Sequence, residues 1–232
     1  MTTIYTAVGR LQKRGGMSGL SYPMITVGQK ECGVDLQEMI VWTILSWRIL
    51  DAGRLEALYL EKTGKVGYQT HRSLEDCLRR LVQRGLVVSG AGSTDEDALY
   101  HLLSCLYIIP ISQSLPLRAF TFLKLTLAGK ATAAQAGRLF RRDTLSDCER
   151  RVMALSRQAL LSTAEVIKCI EKNAYDLSSS DKIMDILYGD EETTSDNIAS
   201  LARCFESRQP VILAVANLYL RQHLIFDRGD MA

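Results

Sequence analysis

The chain has 232 residues, 47% of them hydrophobic, which is enough for one large core or two small domains. The net charge of +2 and the charged fraction of 23% exclude a uniformly basic nucleic-acid coat protein. The longest apolar stretches are shorter than the ~20 residues that a membrane-spanning helix needs. The N-terminus also lacks the apolar segment of a signal peptide. We therefore expect a cytoplasmic protein with no membrane partner.

The six cysteines lie far apart, and none forms a CxxC pair or a Cys/His cluster with zinc spacing. Several fall in apolar helical patterns, which predicts buried free thiols in a reducing compartment. The sequence contains no GxGxxG, P-loop, GxSxG or HExxH motif. We therefore predict no enzyme activity, no catalytic residues, no cofactor and no metal site.

The first third of the chain predicts an arm and two helices. Residues 1–34 are rich in glycine and lack helical periodicity, which predicts an irregular arm with a short strand at Met24–Val27. Asp35 suits the N-cap of a first helix that runs to about Leu50. The pattern of Arg54–Lys62 predicts a second helix, which the following glycines end.

A third helix is predicted from Thr70 to Arg84, with Leu74, Leu78 and Leu81 on its inward face. Gly85 is a suitable helix end. Apolar runs at 86–89 and 98–111 flank the glycine- and acid-rich segment 90–97, which predicts a β-hairpin.

From Pro116 onward the pattern is helical, and the fold class is therefore predicted to be mainly α. The predicted helices are Leu117–Leu127, Thr132–Phe140, Ser146–Leu161, Thr163–Asn173, Ser180–Leu187, Asp196–Glu206 and Pro210–Gln222.

Three helices followed by a β-hairpin is the order of a winged helix-turn-helix. The segments THRSLEDCLRRLVQRGLVV (70–88) and SGAGSTDED (89–97) resemble the recognition helix, its Gly-Leu exit and the wing of PadR- and MarR-type regulators. The resemblance covers about residues 35–111. It implies an N-terminal arm at 1–34, a winged-helix domain at 35–111 and a helical domain at 112–232. It also implies a transcription regulator whose partner is double-stranded DNA.

The outward face of the third helix carries side chains that suit DNA. Arginine can bond guanine edges and glutamine can bond adenine, while hydroxyls near a helix N-terminus can bond phosphates. The predicted DNA-binding residues are Thr70, His71, Arg72, Ser73, Asp76, Arg79, Arg80 and Gln83. Arg72, Arg79 and Arg80 are expected to share one exposed positive face.

Two observations keep other functions open. Asp76 lies at ion-pair spacing from the helix arginines, so these residues also fit a solvated, salt-bridged surface. The wings of the family usually carry Arg or Lys, whereas residues 95–97 here are Asp-Glu-Asp, which repel DNA. The wing would then stand off the duplex, or the fold would serve as a protein-interaction or scaffold module. A plasmid or phage replication protein with tandem winged helices is a further alternative.

The C-terminal end repeats the helix, helix, strand order, and Tyr219 to Leu224 has the spacing of Leu81 to Leu86. This indicates a possible degenerate second winged helix. Because Val211–Ala216 is apolar on every side, we expect it to be core or a subunit interface, with the helical half contributing to a homodimer. Two further basic groups are candidate nucleic-acid contacts or plain solvated surface: Arg10, Lys13 and Arg14, and Arg138, Arg141, Arg142, Arg150 and Arg151.

Overall fold

The computed structural model describes residues 1–15, 21–66, 72–111 and 144–229. Its strands are β1 (Thr2–Ala7), β2 (Arg10–Gly15), β3 (Ser21–Val27), β4 (Lys30–Gly33), β5 (Leu50–Asp51), β6 (Val87–Gly92), β7 (Tyr107–Pro110), β8 (Leu161–Ser162) and β9 (Leu224–Asp227). Its helices are α1 (Leu36–Leu45), α2 (Ala52–Val66), α3 (Leu74–Gln83), α4 (Asp95–Leu103), α5 (Asp147–Gln158), α6 (Thr163–Glu171), α7 (Ser180–Tyr188), α8 (Ile198–Ala202) and α9 (Arg208–Leu220). The helices predicted at Leu117–Leu127 and Thr132–Phe140 lie outside the described residues.

The fold is mixed α/β rather than mainly α, with 50% helix and 20% strand in small antiparallel sheets. The largest difference is at 1–34, where four strands replace the predicted irregular arm. TTIYTA in β1 and MITV in β3 are rich in β-branched and aromatic residues, which favour extended backbone. β2, β3 and β4 form one sheet in that order, and β1 belongs to another.

The first unit of the molecule runs from β1 to β6. Its sheet has the order β5-β1-β6, so the first strand of the chain is the central one. Tyr5 pairs with Leu50 on one side and with Ser89 on the other. Asp51 ends β5 and caps α2, because its carboxylate accepts a hydrogen bond from the Arg54 N–H at 2.9 Å.

The second unit, from β7 to β9, repeats this topology. Its sheet has the order β8-β7-β9, and Ile108 of the central strand pairs with both Leu161 and Phe226. The last residue of β8, Ser162, accepts from the Glu165 N–H at 3.3 Å and caps α6, as Asp51 caps α2. Each unit begins with its central strand, β1 or β7. A two-residue strand, β5 or β8, then leads directly into a capped helix, and a third strand, β6 or β9, follows the last helix of the unit.

The last helix of each unit, α3 in the first and α9 in the second, ends in the same way. The Leu86 N–H donates to the Leu81 carbonyl at 2.9 Å, and the His223 N–H donates to the Leu218 carbonyl at 2.8 Å. The structural equivalent of the Leu81–Leu86 pair is therefore Leu218 and His223, one residue before the pair that the sequence spacing indicates.

Residues 87–111 do not form the predicted hairpin. β6 pairs with β1, β7 pairs with β8 and β9, and α4 lies between them. Thr94 caps α4 by accepting from the Asp97 N–H at 3.1 Å, and the acids at 95–97 occupy its first turn, where the helix dipole favours negative charge. Gly90 and Gly92 allow α4 to lie directly on β6, because a Cβ at either position would collide with the backbone of Ala98.

The buried apolar side chains form two clusters. One lies in the first unit around Leu45, Leu55 and Leu81. The other contains α4 and the second unit, including Ile108 and Phe226. The proposed division of the chain at residues 34 and 111 stays a prediction, but these clusters place α4 with the C-terminal core. Of the helices that the structure describes, none is both long and apolar enough to cross a bilayer.

Helix α9 packs into the core of its own chain. Seven of its residues are buried, among them Val211, Val215 and Leu218. The Tyr219 hydroxyl reaches the first unit, where it accepts from the Trp47 N–H and from the Thr6 hydroxyl, both at 2.9 Å. The buried apolar residues of this helix are thus accounted for by its own core and do not by themselves argue for a homodimer.

Candidate nucleic-acid interface

Helix α3 begins later than predicted, at Leu74, and its N-cap is Ser73 rather than Thr70. The Ser73 hydroxyl oxygen accepts from the Asp76 N–H at 3.1 Å, and the hydroxyl donates to the Asp76 carboxylate at 2.8 Å. The hydroxyl is therefore engaged in the cap rather than offered to a phosphate. Thr70 and His71 lie outside the described residues.

The inward face of α3 agrees with the prediction. Leu81 is fully buried, and Leu74 and Leu78 pack partly buried against the same cluster. Cys77 also lies on this face, where burial raises the pKa of its thiol. This packing fixes which residues of α3 face outward.

A buried carboxylate on α1 holds three arginines from around α3. Glu38 is only 1% exposed, and its oxygens lie 3.0 Å from Arg80 Nε, 2.7 Å from an Arg84 Nη and 3.6 Å from an Arg72 Nη. A second Glu38 contact closes the capping box of α1, since Glu38 Oε2 accepts from the Asp35 N–H at 3.1 Å. Glu38 thus ties the N-terminus of α1 to both ends of α3.

Arg72 is anchored to α1. The Arg72 guanidinium forms an ion pair with Asp35, and the backbone N–H of Arg72 donates to Gln37 Oε1 at 3.1 Å. Desolvation is the largest influence on the Asp35 carboxyl and raises its pKa, but hydrogen bonds from the Glu38 N–H and Arg72 outweigh it and leave the pKa below its usual value. Arg72 is thus committed to this structural pair, contrary to its predicted place on an exposed positive face.

The outward face of α3 retains Arg79, Arg80 and Gln83 as exposed side chains. Arg79 is 59% exposed and forms an ion pair with Asp76, the within-helix alternative that the spacing left open. Arg80 is 50% exposed despite its contact with Glu38. The arginines of this surface are opposed by an equal number of carboxylates: Arg72, Arg79, Arg80 and Arg84 against Asp35, Glu38, Glu75 and Asp76.

A cationic cleft of about 190 Å³ lies beside the C-terminal end of α3. Lys30, Arg84 and Arg228 line it together with Gln83. Gly85 has φ +70°, and a Cβ there would lie 3.1 Å from an Arg228 Nη, so the Arg228 guanidinium lies against the end of the helix. In the described part of the chain, no ion pair joins Lys30 or Arg228 to a carboxylate.

The cleft is assembled from three distant segments. The turn between β3 and β4 is fixed to the end of β9, because the Gly28 N–H donates to Asp227 Oδ1 at 2.7 Å. An Arg84 Nη donates to the Gly33 carbonyl at 2.8 Å, which connects α3 to the same strand pair. Since Lys30, Arg84 and Arg228 are widely separated in sequence and none lies in a basic run, sequence analysis did not find this cleft.

The acidic residues predicted for a wing contact the second unit instead. Glu96 lies 2.8 Å from an Arg208 Nη and Asp97 lies 3.3 Å from an Arg203 Nη. A hydrogen bond from the Ser93 hydroxyl, followed by that from Arg203, lowers the pKa of Asp97 below its usual value. These carboxylates therefore join α4 to α8 and α9 and do not form a loop beside α3.

The residues of the two further basic groups lie in different environments. Arg10, Lys13 and Arg14 lie on β2 rather than in a flexible arm. Arg150 pairs with Asp147, and the Arg151 guanidinium lies 4.4 Å from the centre of the Tyr175 ring. Arg138, Arg141 and Arg142 lie outside the described residues. None of the six cysteines is in a disulfide; two of them, Cys77 and Cys169, are buried as predicted, but Cys105 and Cys204 are exposed.

No protein-family model, no curated protein and no solved structure matches this chain.

Proposed function

We propose that this protein binds double-stranded DNA as a cytoplasmic transcription regulator, with α3 as its recognition helix. The observation that carries the proposal is the cationic cleft at the end of α3. Lys30, Arg84 and Arg228 converge there next to Gln83, on the side of α3 that is open to solvent. Clustered cations beside an exposed helix are the arrangement that binds a phosphate backbone while the helix reads base edges.

The topology of each unit supports this proposal. Helix-turn-helix proteins place the second helix of the pair in the major groove. In the first unit α2 leads to α3, and a three-stranded sheet lies behind them, as in a winged helix. The strand next to β6 comes from the chain start and not from a following hairpin, so the proposed PadR/MarR-type resemblance depends on the helices alone.

The basic residues on and beside α3 differ in how free they are to contact DNA. Arg79 and Arg80 are half exposed or more and can turn toward bases, whereas Arg72 is held by Asp35. Because carboxylates balance the arginines of α3, nonspecific attraction to DNA comes from Lys30 and Arg228. All six cysteines are free, which favours a reducing compartment.

A second candidate, a protein-interaction module, is favoured by the outer face of α9. That helix occupies in the second unit the place of α3 in the first, but its exposed side chains include Leu213 and Leu220, each 49% exposed. A homodimer through this face remains a proposal, and static light scattering at micromolar concentration tests it. The repeated units also fit a replication protein with tandem winged helices, which differs from the main proposal in its DNA target.

Selection from random DNA duplexes at low salt tests DNA binding. If Arg79 reads a base, Arg79→Ala should weaken binding to the selected site by about 1–3 kcal/mol. Lys30→Ala and Arg228→Ala should weaken all duplexes alike and each reduce the salt dependence by about one phosphate contact. Arg157→Ala, at an exposed position on α5, is the matched control. No enrichment with folded protein contradicts the proposal, and binding to a protein partner through α9 would then replace it.

A further inference from the structure

A cavity of about 760 Å³ lies where the two units meet. The first unit contributes the end of β1, the start of β2 and the C-terminal end of α1, and the second contributes β7, β9 and α9. Its size falls in the range of about 300–1,000 Å³ that holds small organic ligands. It is separate from α3 and from the cationic cleft, so it has no part in the proposed reading of DNA.

The walls of the cavity are apolar and aromatic. Ile109, Ile225 and Phe226 line it from the second unit, and Trp42 and Trp47 line it from the first. The polar groups of the aromatic walls are used within the protein: Trp42 Nε1 donates to the Val8 carbonyl at 3.1 Å, and the Tyr219 hydroxyl is held by Thr6 and Trp47. The walls therefore favour a hydrocarbon body and offer little to a polar one.

The lining of the cavity carries a positive charge. Among the described residues that line it, Arg10 is the single charged side chain, and it is exposed. No ion pair or hydrogen bond occupies its guanidinium in the described part of the chain. An arginine at the edge of an apolar cavity matches a ligand with an anionic head and an apolar tail.

The backbone at the cavity supports a binding role. Trp47 has φ +54°, a left-handed conformation that a bulky residue rarely adopts, and the bond from its N–H to the Tyr219 hydroxyl holds it there. The side chain of Trp47 remains 36% exposed although it lines the cavity. Such conformations persist where the surrounding structure fixes them and are concentrated at ligand sites.

We propose that this cavity binds an amphiphilic organic anion, with a hydrocarbon chain between the two units and its carboxylate at Arg10. This site is independent of DNA binding, and its ligand would contact both units at once.

The two tryptophans of the chain both line the cavity, so they report its occupancy without a label. Decanoate is the probe, titrated into the full chain below its aggregation concentration, and decanol is the uncharged control. Decanoate should change the tryptophan emission saturably with one site per chain, and should bind about tenfold more tightly than decanol. Arg10→Gln should reduce decanoate to the affinity of decanol. Lys30→Gln, which removes a cation outside the cavity, should leave both affinities unchanged.

Thr43→Phe provides a second test that does not involve charge. Thr43 lines the cavity from an exposed position on α1, so a larger side chain enters the space without displacing buried residues. Both probes should then bind more weakly, while the circular dichroism spectrum and melting temperature stay the same. The proposal is overturned if decanoate leaves the emission unchanged. It is also overturned if decanol binds equally well, if Arg10→Gln has no effect, or if light scattering shows that the emission changes through self-association.

Discussion

Replacing Glu38 by Gln should destabilise the protein and at the same time strengthen the proposed binding to DNA. Glu38 is 1% exposed and contacts Arg80 at 3.0 Å and Arg84 at 2.7 Å. Both contacts are ion pairs without hydrogen-bond geometry, since neither Glu38 Oε1 nor that Arg84 Nη makes a hydrogen bond in the described part of the chain. Because the carboxylate is buried, each pair should contribute about 1 kcal/mol, the upper end of the range for ion pairs with exposed partners. Gln keeps the shape and the capping contact but loses about 1 kcal/mol at each of these two contacts. The expected loss is about 2 kcal/mol in the free energy of unfolding, or about 4–8 °C in melting temperature.

The effect on DNA binding should have the opposite sign. Removing the Glu38 charge leaves the arginines around α3 with one positive charge in excess, so affinity should rise most at low salt. Glu75→Gln is the matched control, since Glu75 is an exposed carboxylate on α3 without an ion pair in the described part of the chain. It should raise DNA affinity similarly and cost less stability, at most about 0.3–1 kcal/mol from the lost charge in the first turn of α3. Urea unfolding followed by tryptophan emission measures the first effect, and a salt series of binding isotherms measures the second. Equal stability of the two variants would refute the assigned role of Glu38.

Three further outcomes are expected. Gly90→Val should lower the free energy of unfolding by about 3 kcal/mol, the upper end of the overpacking range, because the added atoms meet the backbone of α4. Gly64→Ala, in open space on α2, should instead raise it by up to about 1 kcal/mol in the same urea titration, because alanine favours a helix more than glycine does. Cys169, whose pKa burial raises to about 12, should react with a thiol reagent only as fast as the protein opens, whereas exposed Cys105 should react at once, as mass spectrometry would show. The pKa of Asp35 is lowered in the folded protein, so its ionised carboxylate stabilises the fold above its ordinary pKa, and this stabilisation is lost as the pH falls through the lowered value. Between about pH 5 and pH 2, the free energy of unfolding should therefore fall less steeply with decreasing pH for Asp35→Asn than for the unchanged protein. The same pH dependence in both proteins would contradict the assignment.

The helices could be predicted from the sequence because their periodicity and caps are local. Asp35 caps α1, and the inward residues of α3 follow the spacing of Leu74, Leu78 and Leu81. The start of α3 differs from the prediction because Thr70 and Ser73 are both good cap residues, and only the contacts of Asp76 select Ser73.

The sheets could not be predicted, because their partners lie far apart in sequence. A glycine-rich segment between two apolar runs favours a hairpin locally, but β6 pairs with β1 and its glycines accommodate α4. The same acids that suggested a wing are favourable in the first turn of a helix, and nothing local distinguishes these two uses.

The charged surface was predicted only in part for a related reason. Arg79, Arg80 and Gln83 do lie on the outward face of α3, but the tie between Arg72 and Asp35 joins two helices. The cationic cleft depends on Arg228, which reaches α3 only through the fold. Interactions of this kind carry no periodicity that a single sequence can display.

The position of β1 and β7 at the centres of their sheets has a consequence for synthesis on the ribosome. In each unit the central strand is synthesised first, and the outer strand that follows the last helix is synthesised last. Ala7 can therefore pair only after Val87 has been made, and Ile108 can pair with β9 only after Phe226 has been made. Closing such long loops slows folding, and an unpaired central strand offers its edges to other chains in the meantime. The first sheet can close as soon as β6 emerges, whereas the second remains open until β9 is complete. Released chains that end before Leu224 should therefore depend on chaperones far more than released chains that end just after Asp227.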